Sequence, residues 1–229
     1  MSILTPELIA QYQSLDGPSV SNAIESFDIR LRNEGFADGR IRSLFAGRPP
    51  VIGHAVTARI RCSAPPPVGL SYHDRTDWWN YIVSVPPPRV VVVQDVDDRP
   101  GVGAFVGDVH ATILKALGCV AYVTNGSVRD LDEVGRIGFQ FFAPAVSISH
   151  AFAHIVDFGE PVDVGGLSVA TGDVLFGDSG GLLQVPPSIV AQVPEAAARI
   201  RTKEERIIAL CRSPRFSIDS LRALVRDLG

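Results

Sequence analysis

Val90-Val91-Val92-Val93-Gln94-Asp95, then Gly107-Asp108-Val109-His110, then Cys119-Val120-Ala121-Tyr122-Val123-Thr124 are three stretches whose order sets the architecture. The first is a β-branched run of the kind found in strands buried on both faces. Glycines 101, 103 and 107 mark a turn, and Asp108 to Leu117 places Ile113, Ala116 and Leu117 at helical spacing, with Gly118 where a helix ends. The third stretch is a second apolar strand. Strand, helix and strand within about thirty-five residues form a βαβ unit with parallel strands. The helix N-terminus and the strands' C-terminal ends then share one sheet edge, where open α/β sheets bind ligands.

Asn125-Gly126-Ser127-Val128-Arg129-Asp130 follows the second strand, so Asp108, Arg129 and Asp130 should converge at that edge. Helix N-terminal amides receive anions, and an arginine fork receives a carboxylate. Aspartate oxygens suit a hard divalent cation such as Mg²⁺ or Mn²⁺. A plainer use of the same residues is Asp108 as a helix cap and Arg129-Asp130 as a surface ion pair.

Outward from this unit, Thr5 and Pro6 open a helix through about Ser14, and Ser19 to Phe27 form a second. Residues 28–50 are mostly loop. His54 to Cys62 alternates like a half-buried strand with Ala55, Thr57, Arg59 and Arg61 on one side. Two proline clusters, 65–67 and 86–88, bracket Tyr72 to Val85, which carries both tryptophans and Tyr72-His73-Asp74-Arg75. That segment is a cover for the site or a partner surface, and His73 and Asp74 are acid–base candidates. Phe139 to Ala143 and Ala145 to His150 are strand-like, as are Pro161 to Val169, Asp173 to Asp178 and Gly180 to Val185. Helices occupy about 188–228, with Pro194 a kink or a fresh start. One α/β domain over 1–229 is the economical organisation.

A net charge of −4 argues against broad nucleic-acid or anionic-membrane binding. No apolar run approaches a membrane span, and the N-terminus lacks the pattern of a secretory leader. Three cysteines without metal-type spacing suit a reducing cytosol, with Cys119 and Cys211 read as small core residues. His150 and His154 share a metal only on a helix; on a strand they stand about 13 Å apart. Asp95, Asp173 and Asp178 fit structural and turn roles.

The run Gly107-Asp108, Ala116-Leu117-Gly118-Cys119 and Asn125 to Asp130 resembles the signature of the RraA-like family. Gly165 to Val174 and Gly177-Asp178-Ser179-Gly180-Gly181 resemble its other hallmark segments, so the likeness covers roughly residues 15–210. The family holds both a regulator of ribonuclease activity and class II pyruvate aldolases acting on 4-hydroxy-4-methyl-2-oxoglutarate. The resemblance implies a three-layer fold akin to the phosphohistidine swivelling domain, in trimers or hexamers with sites between subunits.

For the site, the resemblance implies Asp130 as metal ligand, Asp108 holding metal-bound waters, and Arg129 binding and polarising a keto acid. Backbone amides of Gly107, Asp108, Val109 and His110 would hold its carboxylate; His110 could also touch the ligand. The aldolase branch adds a C-terminal glutamate from a neighbouring subunit. Ile200, Glu204, Ile207 and Cys211 follow one helical stripe, which favours Glu204 over Glu205. The implied activity is retro-aldol cleavage of a 4-hydroxy-2-oxo acid, with decarboxylation of oxaloacetate through the same enolate, while a metal-ordered water near Asp108 and Glu204 would shuttle protons. The alternative is a non-catalytic regulator binding a ribonuclease or another protein. Pro86-Pro87-Pro88-Arg89 departs from the family's usual Pro-Gly-Asp lead-in, and Tyr72 to Tyr81 matches no aldolase segment.

Overall fold

The computed structural model describes residues 3–67 and 76–228. The chain opens with α1 (Pro6–Gln13), α2 (Gly17–Glu25), β1 (Arg42–Ser43) and β2 (Val51–Arg61). Three strand–helix units follow: α3 (Thr76–Ser84) and β3 (Arg89–Asp95); β4 (Ala104–Val106), α4 (Asp108–Ala116) and β5 (Cys119–Thr124); β6 (Ser127–Val128), α5 (Leu131–Ile137) and β7 (Gln140–Ala143). Short strands come next: β8 (Ala145–Val146), β9 (His154–Phe158), β10 (Val162–Val164), β11 (Leu167–Val169), β12 (Val174–Asp178) and β13 (Gly181–Val185). Helices α6 (Val193–Cys211) and α7 (Ile218–Leu228) complete it. The Tyr72-His73-Asp74-Arg75 group lies outside the described residues.

The fold is mixed α/β. Its main sheet runs β1-β7-β5-β3-β2-β12-β13, with β9 also on β2. Strands β2, β3, β5 and β7 are parallel, each joined to the next across a helix, so the expected βαβ unit is one of three in succession. β1, β9, β12 and β13 pair antiparallel.

The valine run behaves as its composition predicts. Val91 and Val93 point into a core made with Ile82, Leu114, Val134 and Phe141, beneath α3, α4 and α5. Val90 and Val92 point the other way, against Val162, Val164, Leu167 and Val169 of the β10–β11 hairpin. Alternate side chains thus bury on opposite faces, with nothing left for solvent. A third core joins Tyr12 and Val20 of the first two helices to Phe176, Val193 and Ala197.

Several boundaries differ from the sequence reading, each for a tertiary reason. β2 is not half-buried: it is covered on both faces until Arg59, because it is central, paired by β3 on one edge and by β12 and β9 on the other. α2 starts two residues early, where Asp16 accepts the Ser19 N–H at 2.8 Å as an N-cap. Only Ala145-Val146 of the 145–150 stretch is strand. Pro161 to Val169 folds back at Gly165-Gly166, both at positive φ, into a hairpin. Pro194 lies in the first turn of α6, so it starts that helix rather than kinking it. Cys119 is buried as expected, but Cys211 is exposed at the last residue of α6, on a turn that the body of the domain does not cover and where α7 is the neighbouring element.

Arg89 has a physical account. Its guanidinium is buried and donates to the carbonyls of Val85 at 2.5 Å, Val83 at 3.1 Å and Leu117 at 2.5 Å. These carbonyls lie at the C-terminal ends of α3 and α4, where helix dipoles favour a cation.

Candidate functional site

A small parallel sheet, β4-β6-β8, sits beyond the C-terminal ends of β3, β5 and β7 and builds the site. Each main strand breaks and resumes briefly in this second layer. β4 delivers Gly107 and Asp108 to the start of α4, and β6 delivers Arg129 and Asp130. The Arg129 N–H donates to the Val106 carbonyl at 3.2 Å, which locks the two ends side by side.

Asp108 does not cap α4; Gly107 occupies that position without a side-chain bond, and Asp108 is the first helical residue. Asp130 is the N-cap of α5, yet it makes no cap bond to its own helix and sits at φ +57°, a left-handed conformation. Its carboxylate turns instead to α4: Oδ2 accepts the Asp108 N–H at 3.2 Å and faces the Arg129 Nε at 3.3 Å. Asp108 Oδ1 accepts the Val109 N–H at 2.7 Å. Two amides at the positive end of α4 are therefore already turned to carboxylates of the site. Gly107 leaves room for this: a Cβ there would lie 2.2 Å from Asp130 Oδ2.

Beside this cluster is a cavity of about 330 Å³, lined by Ala104, Phe105, Gly107, Asp108, Val109, His110, Arg129, His150 and Ala153. Its lining mixes apolar side chains with charged groups of both signs. His110 stacks on Phe105 at 5.3 Å, and its Nδ1 lies 2.8 Å from the Phe105 carbonyl, so Nδ1 carries the hydrogen. Burial drives the His110 pKa down to about 4 against that bond, with the Arg129 charge adding to the fall.

Of the residues singled out from sequence, Gly107, Asp108, Val109, His110, Arg129 and Asp130 come together. Glu204 does not join them within one chain: it is exposed on the middle of α6 and does not line the cavity. Glu205 pairs with Arg201 at 3.0 Å. His150, weighed from sequence only as a metal ligand with His154, lines the cavity, whereas His154 is buried at the start of β9. No local pattern marks His150, because a turn distant in sequence brings it in.

A second group lies nearby. Cys62, Asp95 and Asp97 are the one set among the described residues whose three ligand-type atoms lie within 4.8 Å of one another. Their oxygens are engaged by the chain itself: Asp97 accepts the N–H groups of Cys62 and Ser63 at 2.7 and 2.8 Å, and Asp95 those of Asp97 and Gly101 at 3.1 and 2.8 Å. Burial pushes the Cys62 thiol up to about 12, far from a thiolate. The group fastens the ends of β2 and β3, which fits the structural role expected of Asp95. Asp173 and Asp178 likewise accept turn amides, and Asp178 also accepts the Gly17 N–H at 2.6 Å.

Residues 18–183 match the model of the RraA-like family, described as Aldolase/RraA, and the chain belongs to that family. It is 25% identical over 205 residues to protein DlpA of Legionella pneumophila, covering 88% of this chain and 31% of that protein. It is 25% identical over 103 residues to a proposed 4-hydroxy-4-methyl-2-oxoglutarate aldolase of Halalkalibacterium halodurans, covering 44% of this chain and 49% of that one. The chain thus matches half or less of the length of these two relatives. The structure of Streptomyces coelicolor RraAS2, an unusual member of the RNase ES inhibitor RraA family, superposes with a TM-score of 0.68 at 22% identity, over 88% of this chain and 96% of that one. That likeness is one of fold. The family includes both aldolase and ribonuclease-inhibitor members.

Proposed function

We propose that this chain is a divalent-metal-dependent carbon–carbon lyase that cleaves a 4-hydroxy-2-oxo acid to pyruvate and a carbonyl product. Oxaloacetate decarboxylation is a second outlet of the same enolate chemistry. The observation that carries this reading is the turning of the Asp130 carboxylate away from its own helix to join Asp108 and Arg129 beside the cavity. An uncapped helix and a left-handed aspartate are costs that a surface ion pair does not explain.

The donor set fits Mg²⁺ or Mn²⁺: two half-buried carboxylates, with solvent access for the waters such ions retain. Asp130 would be the ligand and Asp108 would hold the waters. When bound, the ion supplies Lewis-acid stabilisation of the enolate. Arg129 binds the keto acid's carboxylate and polarises its carbonyl. The N-terminal end of α4, Gly107 to His110, adds its dipole to the same anion.

Exposed apolar side chains near the cavity, Val109 and Ile148 at 67% and 99% exposure, favour assembly of copies around it, as trimers or hexamers in the cytosol. Such packing would cover the exposed face of α6 and bring in Glu204 from a second copy. The three-layer swivelling-domain arrangement belongs to the same proposal.

The test is pyruvate release from 4-hydroxy-4-methyl-2-oxoglutarate and from oxaloacetate, with and without Mg²⁺, for wild type, Asp130→Ala and Glu204→Gln. Metal-dependent turnover lost in Asp130→Ala and reduced in Glu204→Gln is expected. Turnover without metal, or full activity in Asp130→Ala, defeats the mechanism. No turnover of any keto acid, with tight binding to a ribonuclease, favours the regulator.

A further inference from the structure

One side chain in the cavity has no part in the chemistry above. His150 lines it together with Asp108, His110 and Arg129. The turn that carries it is fastened to the strands that build the site. The Ser149 carbonyl accepts the Ala104 N–H at 2.9 Å, the Phe152 N–H donates to the Cys62 carbonyl at 3.1 Å, and the Ala153 N–H closes back on the His150 carbonyl at 3.0 Å. Gly103 permits the approach: a Cβ there would lie 2.5 Å from the His150 carbonyl oxygen and 2.7 Å from the Ala151 Cβ. Ala151 itself is held at φ +47°, a strained conformation for a residue with a side chain. An ordinary surface turn has no need of that strain or of a glycine opposite it.

The same turn fixes the imidazole's tautomer. Nδ1 lies 2.7 Å from the Ala151 carbonyl, which only accepts, so Nδ1 carries the hydrogen and Nε2 carries the lone pair. The ring of His110, by contrast, is packed flat on Phe105 and serves as wall. The titratable and charged groups that line the cavity with His150 are Asp108 and His110 on α4 and Arg129 after β6, with Asp130 paired to Arg129.

We infer that His150 is a catalytic residue of this chain, the base whose Nε2 takes the C4 hydroxyl proton of the bound 4-hydroxy-2-oxo acid. This rests on the lyase reading and gives His150, in the same chain, the proton transfer that the sequence reading places on a metal-ordered water near Asp108 and Glu204. As the proton moves to Nε2, the C4–O bond becomes a carbonyl and the C3–C4 bond breaks. Its electron pair goes to the C2–C3 enolate of pyruvate. The imidazolium then returns the proton to C3, leaving pyruvate and a neutral ring, with no net gain or loss of protons.

Oxaloacetate separates this role from simple binding, since it loses carbon dioxide with no hydroxyl proton to remove. Both reactions are measured on the intact protein with Mg²⁺ for wild type, His150→Ala and His150→Asn, the latter keeping a polar side chain in the turn. Retro-aldol kcat should fall at least about 100-fold in both variants with KM within threefold. Added imidazole should restore part of the rate to His150→Ala. Decarboxylation should fall less than about tenfold, which certifies the fold and the rest of the site. A retro-aldol loss below about fivefold, or equal losses in the two reactions, overturns the base. A wild type that turns over neither substrate overturns the lyase reading and this inference together; an active wild type with indifferent variants overturns the inference alone.

Discussion

Gly107→Ala tests the site while leaving every side chain proposed to do chemistry, and the Gly107 amide itself, in place. Gly107 has φ −127° and ψ −154°, extended backbone that alanine adopts freely, so the substitution brings no backbone strain. What it brings is a methyl group 2.2 Å from Asp130 Oδ2 and 3.0 Å from the Cγ and Nε of Arg129. These atoms belong to side chains that can rotate, so the carboxylate should swing away while the strands stay. The losses are the 3.2 Å bond from the Asp108 N–H and a one-third-exposed ion pair at 3.3 Å. Together with the weaker N-cap, these amount to roughly 1–2 kcal/mol after the gain from a stiffer unfolded chain. Thermal melts should therefore fall by about 2–8 °C. Mn²⁺ affinity, read by titration calorimetry or by the electron paramagnetic resonance of the free ion, should weaken by roughly 10- to 100-fold, as when a group that aims a metal ligand is lost. Affinity within twofold of wild type would refute the placement of Asp130 over Gly107. A melt lowered by more than about 15 °C would refute the claim that only side chains yield.

Two further perturbations read parts of the fold around the site. With its pKa held at about 4 by burial, His110 stays neutral where the unfolded chain, near 6.5, binds a proton. Stability should therefore fall as pH drops from 6.5 toward 4, by about 2 kcal/mol at pH 4.5 relative to His110→Phe. Urea titrations of the two proteins at pH 7 and pH 4.5 measure the difference, and parallel losses would remove His110 as the cause. Arg89→Met keeps the buried stem but strips three carbonyls of their donor. It should cost roughly 3 kcal/mol or more in urea unfolding, and Arg89→Lys should recover little because an ammonium lacks the guanidinium's spread of donors. A cost below about 1 kcal/mol would show that water satisfies those carbonyls.

The parallel core was legible because four consecutive valines need two apolar faces, and because Gly118 and the glycines before Asp108 punctuate the chain where the elements change. The second layer was not. β4, β6 and β8 are two or three residues each, too short for any periodicity to register, and their pairing is purely tertiary. The burial of β2 was missed for a related reason: Arg59 alternates as on a solvent face, but it meets Asp157 of β9 at 2.6 Å. His150 reaches the cavity through a turn whose only local marks are a serine and an alanine. The stripe holding Glu204 and Cys211 was legible as a face that seeks cover, but an amphipathic pattern does not name the cover. Within one chain, α2 and β12 shelter only the first turns of α6, at Val193, Ala196 and Ala197.

Asp130 weighs most in deciding between the two uses of the opening motif. An aspartate in the N-cap position ordinarily folds its carboxylate onto its own helix, a bond worth roughly 1 kcal/mol. Asp130 forgoes that bond, takes a left-handed backbone that L-residues avoid at roughly 1–2 kcal/mol, and puts its carboxylate at the head of the neighbouring helix. The return within the chain is one hydrogen bond at 3.2 Å and an ion pair worth at most about 1 kcal/mol at that exposure. Those gains do not plainly exceed the costs, and a capping role would have served stability better. On the lyase reading proposed above, the divalent cation bound at the Asp130 carboxylate is the missing partner.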